Sequence, residues 1–246
     1  MTEIIAEIGI NFGGDICIAE TLIEQAKSAG ADVAKFQCYV PEKTLDRSLF
    51  DDKMWDHIKK TELTFEDTKR LKEYCDKTGI EFMASAFDLE RLQWLEDLGV
   101  KRHKIASRSI YDTRYVEAVQ ATGKEYLVSD GWVDCNNKKT EKLLSEIEKD
   151  PKGKILYCVA EYPTLLKNIS FSEAEFWFFS NYYSGWSDHT GNIYASTYAM
   201  AHGAEIIEIH FTQYKNAYGC DHSSSITYKE LKQLCQFRDN FQIIRR

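Results

Sequence analysis

The chain has few residues that would divide it or carry it into a membrane. Only three of its 246 residues are proline, and it contains no proline- or glycine-rich linker. Its apolar runs are all shorter than the roughly 20 residues that span a bilayer. The amino terminus, MTEIIAEIG, lacks the basic segment of a signal peptide. We therefore expect one cytoplasmic domain over residues 1–246.

Positive charge and paired cysteines are also lacking. The 31 Lys and Arg residues are outnumbered by 39 Asp and Glu residues, which gives a formal net charge of −8. This balance disfavours binding to nucleic acid through charge. The seven cysteines are scattered and form no C-x-x-C pair, so we expect reduced thiols and neither a disulfide framework nor a zinc knuckle.

The chain does contain an alternation of strand-like and helix-like segments. Eight short β-branched or apolar runs are followed by longer stretches, several with helical periodicity, which is typical of βα units and a parallel sheet. The predicted strands are residues 4–9, 32–38, 80–86, 103–107, 125–130, 154–160, 182–186 and 204–210. Eight units in this length predict an α/β fold, a single-domain (β/α)₈ TIM barrel.

A doubly wound open sheet is the competing architecture. Its dinucleotide-binding form places G-x-G-x-x-G after the first strand, whereas this chain has EIGIN at residues 7–11. The pattern therefore favours the barrel. Helices are predicted over residues 18–29, 89–98 and 228–241, and another begins near Thr64, where Thr64 and Asp67 approximate a capping box.

Polar residues fall at the predicted carboxyl ends of the strands, which form the open face of such a barrel. They are Glu7, Lys35, Gln37, Ser85, Lys104, Ser107, Ser129, Asp130, Glu161, Tyr162, Ser187, Asp188, His189 and His210. Alternation along a strand points Lys35 and Gln37 into the barrel mouth. Inward lysines need an anionic ligand or paired carboxylates. Two lysines among hydroxyl groups suit a small phosphorylated carboxylic acid.

His189 and His210 fall at the mouths of adjacent predicted strands. They could share one divalent ion and leave its other positions to water and substrate. Asp221 is the best further candidate for a ligand or a base. Two histidines alone are equally compatible with core histidines whose hydrogen bonds are satisfied.

A series of ordered motifs covers nearly the whole chain. They are AEIGIN (6–11), AGADVAKFQ (29–37), TELTFEDTKRLKEY (61–74), FDLERLQWLEDLGV (87–100), HKIAS (103–107), EYPT (161–164), GWSDHT (185–190), EIHFT (208–212) and GCDHSSS (219–225). In this order they resemble the catalytic domain of the N-acetylneuraminate (sialic acid) synthase family. That family condenses phosphoenolpyruvate with a 2-acetamido hexose.

The resemblance implies a role for each site residue. The matches to the family's phosphate-binding positions are Lys104, Ser107, Ser129, Ser187 and Ser85. Lys35 and Gln37 match residues that contact the carboxylate and reacting centre of phosphoenolpyruvate. His189 and His210 match the ligands of a divalent metal, usually Mn²⁺, with Mg²⁺ or Co²⁺ as alternatives. Glu7, Tyr162 and Asp221 match residues that serve the sugar and the proton transfers.

The implied reaction joins the enol carbon of phosphoenolpyruvate to the open-chain aldehyde of the sugar, which the metal polarises. Water then attacks the resulting oxocarbenium carbon, and phosphate leaves with C–O cleavage. The product is a nonulosonic acid or a similar 3-deoxy-2-keto sugar acid.

The chain also departs from the family. Members usually continue into a small antifreeze-like domain, which supplies an arginine to the partner's sugar site, whereas this chain stops at Arg246. We therefore expect this chain to act as a homo-oligomer or with a separate partner domain. The usual Ser-Gly-Glu after the fourth strand is here Ser107-Arg108-Ser109, so a catalytic carboxylate is missing. We hypothesise that Arg108 binds the sugar in place of the absent arginine; a surface ion pair is the alternative.

Structural explanations stay open for several of these residues. The lysines could snorkel at a barrel rim or pair with Glu161 or Glu208, and Ser85, Ser107 and Ser129 could cap the following helices. The aromatic residues between 176 and 186 resemble a ligand platform, although a helix packed on the barrel or an oligomer contact is commoner. Residues 41–60 form a long loop, either a lid or an ordered surface excursion.

Together these features predict an enzyme that uses phosphoenolpyruvate, an amino-sugar aldehyde and one divalent metal. One rival is a synthase with another acceptor aldehyde. The other is a non-catalytic barrel that binds phosphoenolpyruvate or a sugar in a surface-glycan pathway. The retained Lys35, Lys104, His189 and His210 favour an enzyme, whereas the missing carboxylate after the fourth strand favours the binder.

Overall fold

Eight parallel strands close into a barrel in the computed structural model, which describes residues 2–131, 138–171 and 182–244. Each strand pairs with the next along the chain, and β8 pairs with β1. The strands are β1 (Glu3–Gly9), β2 (Val33–Cys38), β3 (Glu81–Ala86), β4 (Arg102–Ile105), β5 (Glu125–Ser129), β6 (Gly153–Cys158), β7 (Tyr183–Asp188) and β8 (Ile206–His210). The predicted (β/α)₈ barrel is confirmed, and the open sheet is excluded.

Nine helices accompany the strands within these described ranges. They are α1 (Ile16–Ala29), α2 (Pro41–Thr44), α3 (Asp52–Lys60), α4 (Phe65–Thr78), α5 (Leu89–Asp97), α6 (Thr113–Ala121), α7 (Lys138–Lys149), α8 (Tyr194–Ala201) and α9 (Tyr228–Ile244). The predicted capping box of α4 is present, because Thr64 and Asp67 bond to each other's backbone N–H. None of the helices in the described part of the chain is long and apolar enough to cross a bilayer.

Alternation along the strands divides the barrel interior into layers. One layer is wholly apolar and buried: Ile5, Val33, Met83, Leu127, Leu156 and Ile206. Two residues further along, on the same inward face, stand polar side chains such as Glu7, Lys35 and Ser85. The apolar layer therefore forms a floor beneath a polar layer at the carboxyl ends of the strands.

The amino end of the barrel is closed by an ion cluster. Arg102 donates to Glu81 at 2.8 Å and to Glu125 at 3.1 Å, and it also pairs with Glu3. Its guanidinium group can satisfy several carboxylates at once because it carries five donors. Arg102 and its glutamate partners occupy this end of the barrel. An accessible site is therefore expected at the opposite end.

Residues 41–60 are not the loop that the sequence predicts. They contain α2, a 3-10 helix at Arg47–Leu49 and α3. The carboxylate of Asp51 accepts from the backbone N–H of Met54 and begins α3, which buries Trp55 and Ile58. α3 is an amphipathic helix, with Trp55 and Ile58 buried on one face and charged residues on the other. The segment is ordered, and several of its residues also line the cavity described below.

Several strand ends also differ from the prediction, and those of β4 and β7 have a clear cause. β4 ends at Ile105, and the chain turns there because the N–H of Ser109 bonds to the carbonyl of Ala106 at 2.8 Å, so Ser107 opens a 3-10 helix. β7 instead extends through Asp188. The carboxylate of Asp188 fixes the following turn by accepting from Ser196 Oγ at 2.6 Å and from the Thr190 N–H at 2.7 Å.

Candidate active site

A cavity of about 320 Å³ opens at the carboxyl ends of the strands. The residues that the sequence predicts for the site all line it: Glu7, Lys35, Gln37, Ser85, Lys104, Ser107, Arg108, Ser129, Tyr162, Ser187, His189, His210 and Asp221. They come from segments spread along most of the chain. The barrel brings them together because the ends of its parallel strands meet at one rim.

On the β1–β2 side of the cavity, Glu7 holds two inward side chains of β2. Lys35 Nζ lies 2.8 Å from Glu7 Oε2, and Gln37 Nε2 donates to Glu7 Oε1 at 3.0 Å. Glu7 and Lys35 are opposite each other in the strand register, and both are buried. One carboxylate therefore fixes both side chains.

Glu208 of β8 is the centre of the buried charge network. Its carboxylate lies 3.5 Å from Lys35 Nζ and 3.8 Å from Lys104 Nζ, and it accepts from Ser187 Oγ at 2.9 Å. Burial alone would raise the pKa of Glu208, but Lys104 and Lys35 hold it well below the usual value. Glu208 thus stays ionised and keeps two cations in the polar layer at the bottom of the cavity.

The two lysines differ in how well their charge is compensated. Burial opposes the ammonium form of Lys35, yet the carboxylates of Glu208 and Glu7 outweigh it and raise its pKa. Burial dominates at Lys104, whose pKa is lowered although Glu208 partly opposes this. Lys104 donates to Ser129 Oγ at 2.7 Å. A bound anion would satisfy Lys104 more than any group now beside it.

Hydroxyl groups surround Lys104. Ser85 faces it in the register of β3 and β4, and Ser129 accepts its hydrogen bond. Ser107, just beyond β4, contacts the thiol of Cys158 at 3.8 Å. The alternative that Ser85 and Ser107 cap the following helices is wrong, because Asp88 caps α5 and Asp112 caps α6.

His189 and His210 stand side by side at the mouth, with ring centroids 5.3 Å apart. Burial, with a smaller contribution from His210, lowers the pKa of His189 to about 3, so its ring is neutral at physiological pH. His189 Nδ1 bonds to the carbonyl of Val159 at 3.1 Å, which leaves Nε2 available. His210 Nδ1 is buried, makes no hydrogen bond to the described residues, and lies 3.8 Å from Asp221 Oδ2.

This pair fits a metal that keeps open coordination positions. Neutral imidazole nitrogens are common ligands of divalent ions, and a second bond from the other ring nitrogen, as in His189, fixes the tautomer. Among the described residues no group of three or more His, Cys, Asp or Glu side chains is placed to hold a metal. The geometry therefore suits an ion completed by substrate and water and not a closed structural site.

Tyr162 and Asp221 complete the mouth. The ring of Tyr162 packs on His189 at a centroid distance of 4.2 Å, while half of the tyrosine stays exposed. Asp221 follows β8, and its backbone carbonyl accepts from Ser225 Oγ at 2.6 Å. Both residues are placed to meet a ligand that enters from solvent.

Gly9 is a site residue that the sequence analysis missed. It has φ +55°, and a Cβ there would lie 3.1 Å from Gln37 Nε2 and 3.3 Å from Asp221 Oδ2 and Glu7 Oε1. A side chain at this position would push on three polar groups of the site. The EIGIN motif places a glycine here, but only the structure shows what surrounds it.

An apolar wall covers one side of the cavity. We use this name for Ile10, Tyr39, Leu45, Phe50, Ile58 and Phe87. Three of them belong to the segment 41–60, which therefore contributes to the site and is more than a surface excursion. These residues resemble any other core residues in sequence, so no motif could have marked them.

Arg108 lines the cavity directly after Ser107 and is exposed. It forms no ion pair among the described residues, so the alternative of a surface ion pair finds no support there. Its position beside Ser107 places it on the same side as the hydroxyl groups around Lys104.

Two other expectations are settled. Glu161 does not pair with the lysines, because it accepts instead from the N–H of Leu165 at 3.1 Å and from Asn168 Nδ2 at 2.8 Å. Trp186 is fully buried against Tyr157, so it is a core residue and not a ligand platform. The aromatic residues 176–179 lie outside the described residues.

Comparison with known proteins agrees with this geometry. Residues 22–244 match the NeuB family. The chain belongs to the NeuB family. This NeuB-family chain is similar to the N,N'-diacetyllegionaminic acid synthase of Campylobacter jejuni, with 33% identity over 95% of this chain and 74% of the relative. It is also similar to the N-acetylneuraminate-9-phosphate synthase of Homo sapiens, with 31% identity over 94% of this chain and 67% of that one.

A solved structure gives the same result for this NeuB-family barrel. The N-acetylneuraminic acid (sialic acid) synthetase from Leptospira borgpetersenii superposes with a TM-score of 0.89 and 31% identity, covering 99% of this chain and 84% of the other. The resemblance that the sequence motifs carry is therefore confirmed at the level of the family and the fold.

Proposed function

We propose that this chain condenses phosphoenolpyruvate with the open-chain aldehyde of a 2-acetamido hexose and releases phosphate. The enol carbon of phosphoenolpyruvate forms the new C–C bond to the aldehyde carbon. Water adds to the carbon that bears the phosphate, the C–O bond breaks, and phosphate leaves. The product is a 3-deoxy-2-keto acid of the nonulosonic type.

The observation that carries this proposal is the pair of buried lysines around Glu208. Lys104, whose pKa burial lowers, stands among Ser85, Ser129 and Ser187. A cation among hydroxyl donors on a desolvated floor binds a phosphate better than any neutral ligand. Lys35 and Gln37, held by Glu7, suit the carboxylate of the same substrate.

Three of the remaining residues of the mouth would serve the sugar. Glu7 and Asp221 each have a carboxylate oxygen 3.3 Å from the position of a Cβ at Gly9, and either can accept a proton or a hydroxyl hydrogen bond. Tyr162 lies exposed over His189, where it can contact the entering sugar. Arg108 stands at the rim on the side of the phosphate-binding hydroxyls.

His189 and His210 would hold a divalent metal, with Mn²⁺ as the first choice and Mg²⁺ or Co²⁺ as alternatives. When bound, the metal would supply Lewis-acid polarisation of the sugar aldehyde. The residues present fit such an ion through the neutral ring of His189 and the buried Nδ1 of His210, which has no hydrogen-bond partner in the described part of the chain.

The deciding experiment measures phosphate release from phosphoenolpyruvate in the presence of Mn²⁺. Neutral 2-acetamido and 2,4-diacetamido hexoses, their phosphates and simple aldoses are compared as acceptors, and His189→Ala serves as the control variant. Release that depends on the acceptor and is lost in His189→Ala supports the synthase. A failure of every acceptor to give release, while calorimetry still detects phosphoenolpyruvate binding, supports a non-catalytic barrel.

A further inference from the structure

The cavity has two chemically different sides. The strands β3, β4, β5 and β7 and the turn after β4 contribute its four serines and two of its cations: Ser85, Lys104, Ser107, Arg108, Ser129 and Ser187. The apolar wall comes from the segments after β1, β2 and β3. A phosphate fits the first side, and a carboxylate fits Lys35 and Gln37 on the adjacent β2, so a second substrate has the wall as its neighbour.

The apolar wall is held by its own packing. The rings of Tyr39 and Phe87 lie 5.9 Å apart, and Phe50 packs on Trp55 at 6.1 Å. The hydroxyl of Tyr39 is within 3.0 Å of Thr61 Oγ1, which in turn donates to the carbonyl of Ile58 at 2.8 Å. The wall is therefore a formed surface, and the hydroxyl that its tyrosine carries is already hydrogen-bonded.

The charges beside the wall are negative. Glu7 and Asp221 both lie within 3.3 Å of the position of a Cβ at Gly9, directly before Ile10 of the wall. Lys35 is the nearest cation in the register, but it is engaged by Glu7 and Glu208. Because Glu7 is paired with Lys35, the charge that a dianionic group would meet at the wall is the carboxylate of Asp221, and a like charge beside an apolar surface is costly.

From this asymmetry we propose that the acceptor is a neutral amino sugar that turns apolar substituents, such as acetamido methyl groups or a deoxy carbon, toward the wall. A phosphorylated acceptor is rejected. This inference rests on the proposed function, because it assumes that phosphoenolpyruvate occupies the side that contains Lys104. The inference restricts the acceptor to sugars whose substituents match the apolar wall.

The first test compares three acceptors in the phosphate-release assay: a 2-acetamido hexose, its 6-phosphate, and a 2,4-diacetamido-2,4,6-trideoxy hexose. We expect kcat/KM for each neutral sugar to exceed that for the phosphate by about tenfold or more, and the trideoxy sugar to be the better neutral acceptor, since one apolar group in a pocket is worth about 10- to 200-fold. A higher kcat/KM for the 6-phosphate would overturn the inference and leave the synthase proposal intact.

Variants of the wall give the test a second readout. Phe50→Lys and Leu45→Lys each place a cation on a half-buried wall position, so the ratio of kcat/KM for the phosphate over the neutral sugar should rise by about tenfold. Leu49→Lys is the matched control, because Leu49 is in the same segment, is 75% exposed and does not line the cavity. An equal ratio in all three variants and the wild-type chain would contradict the inference.

Binding separates failure of this inference from failure of the proposed function. Calorimetry with Mn²⁺ but without phosphoenolpyruvate measures the Kd of each sugar without turnover, for wild-type protein and for Phe50→Lys. Tighter binding of the neutral sugars by the wild-type protein supports the inference even if no phosphate is released, whereas that missing release counts against the synthase. Tighter binding of the 6-phosphate overturns the inference.

Discussion

Lys35 and Glu7 stand opposite each other on β2 and β1 and form a 2.8 Å ion pair in which only 3% of each side chain is exposed. Lys35 also lies 3.5 Å from Glu208. One buried cation thus compensates two buried carboxylates. Removing a single member of such a group is costly because it leaves the others desolvated and uncompensated.

Replacing Lys35 with methionine should lower the free energy of unfolding by about 3–5 kcal/mol, because Glu7 and Glu208 both lose a cation. Glu7→Gln should cost less, since Lys35 keeps Glu208. Urea denaturation measures both. As a control, Lys142→Met removes the exposed Lys142–Glu146 pair, with N···O 3.5 Å, and should change stability by less than about 1 kcal/mol. Equal losses in Lys35→Met and Lys142→Met would contradict the expectation.

Gly9→Ala should damage activity beyond its effect on stability. The substitution carries the strain of a left-handed backbone at φ +55° and also brings a Cβ to 3.1 Å from Gln37 Nε2. Gly99→Ala is the matched control, because Gly99 has φ +67° and a Cβ there would meet no atom within 4 Å. Both variants should lose about 1–2 kcal/mol of stability, whereas only Gly9→Ala should lose about tenfold or more in kcat/KM.

Arg108→Ala distinguishes two roles for the arginine. The sequence predicts that Arg108 contacts the sugar, but its position directly after Ser107 favours the phosphoenolpyruvate side. We therefore expect KM for phosphoenolpyruvate to rise by about tenfold through the loss of one charge-assisted contact. KM for the sugar should change less. A larger rise in KM for the sugar than for phosphoenolpyruvate would support the sugar-binding role predicted from the sequence.

The polar part of this site could be predicted from the sequence because barrel geometry is regular. Residues such as Lys35 and Ser85 stand two positions after an apolar inward residue at the end of a strand, so alternation alone aims them at the mouth. The ordered motifs then added roles to positions that alternation had already brought together.

The apolar part could not be predicted, because its residues carry no local signal. Leu45, Phe50 and Ile58 lie in a segment whose helices are short, and Phe87 is an ordinary residue beyond a strand. These residues line the cavity only because of how the chain packs in three dimensions. α3 is different, because Trp55 and Ile58 on one face and charged residues on the other form a local pattern that indicates a helix.

A metal at the histidine pair should be visible without any turnover. If His210 contributes a ligand, Mn²⁺ alone should stabilise the wild-type protein by about 2.7 kcal/mol at a hundredfold excess over Kd, and His210→Ala should abolish this gain. His202→Ala is the control, since His202 follows α8 and lies outside the cavity. Thermal unfolding with and without Mn²⁺ measures the effect. An undiminished gain in His210→Ala would remove this residue from the metal site.

The pH dependence of stability should carry the signature of Asp130. Its carboxylate accepts from the Cys158 N–H at 3.0 Å and from the Tyr183 hydroxyl at 2.5 Å, yet burial outweighs these bonds and raises its pKa to about 6 from 3.8. Between these two values the folded state keeps a proton that the unfolded state has released. Stability therefore falls as pH rises through this window, by about 1.4 kcal/mol per pH unit from this group.

Asp130→Asn removes that titration while keeping the shape of the side chain. The amide oxygen can still accept from the Cys158 N–H, and the tyrosine oxygen can accept from the amide NH₂. We expect the variant to gain stability relative to the wild-type protein as pH rises from about 4 to about 6, and to keep that gain at neutral pH. Urea unfolding across this range measures the difference between the two proteins. A difference that stays constant with pH would show that Asp130 ionises normally in the folded protein.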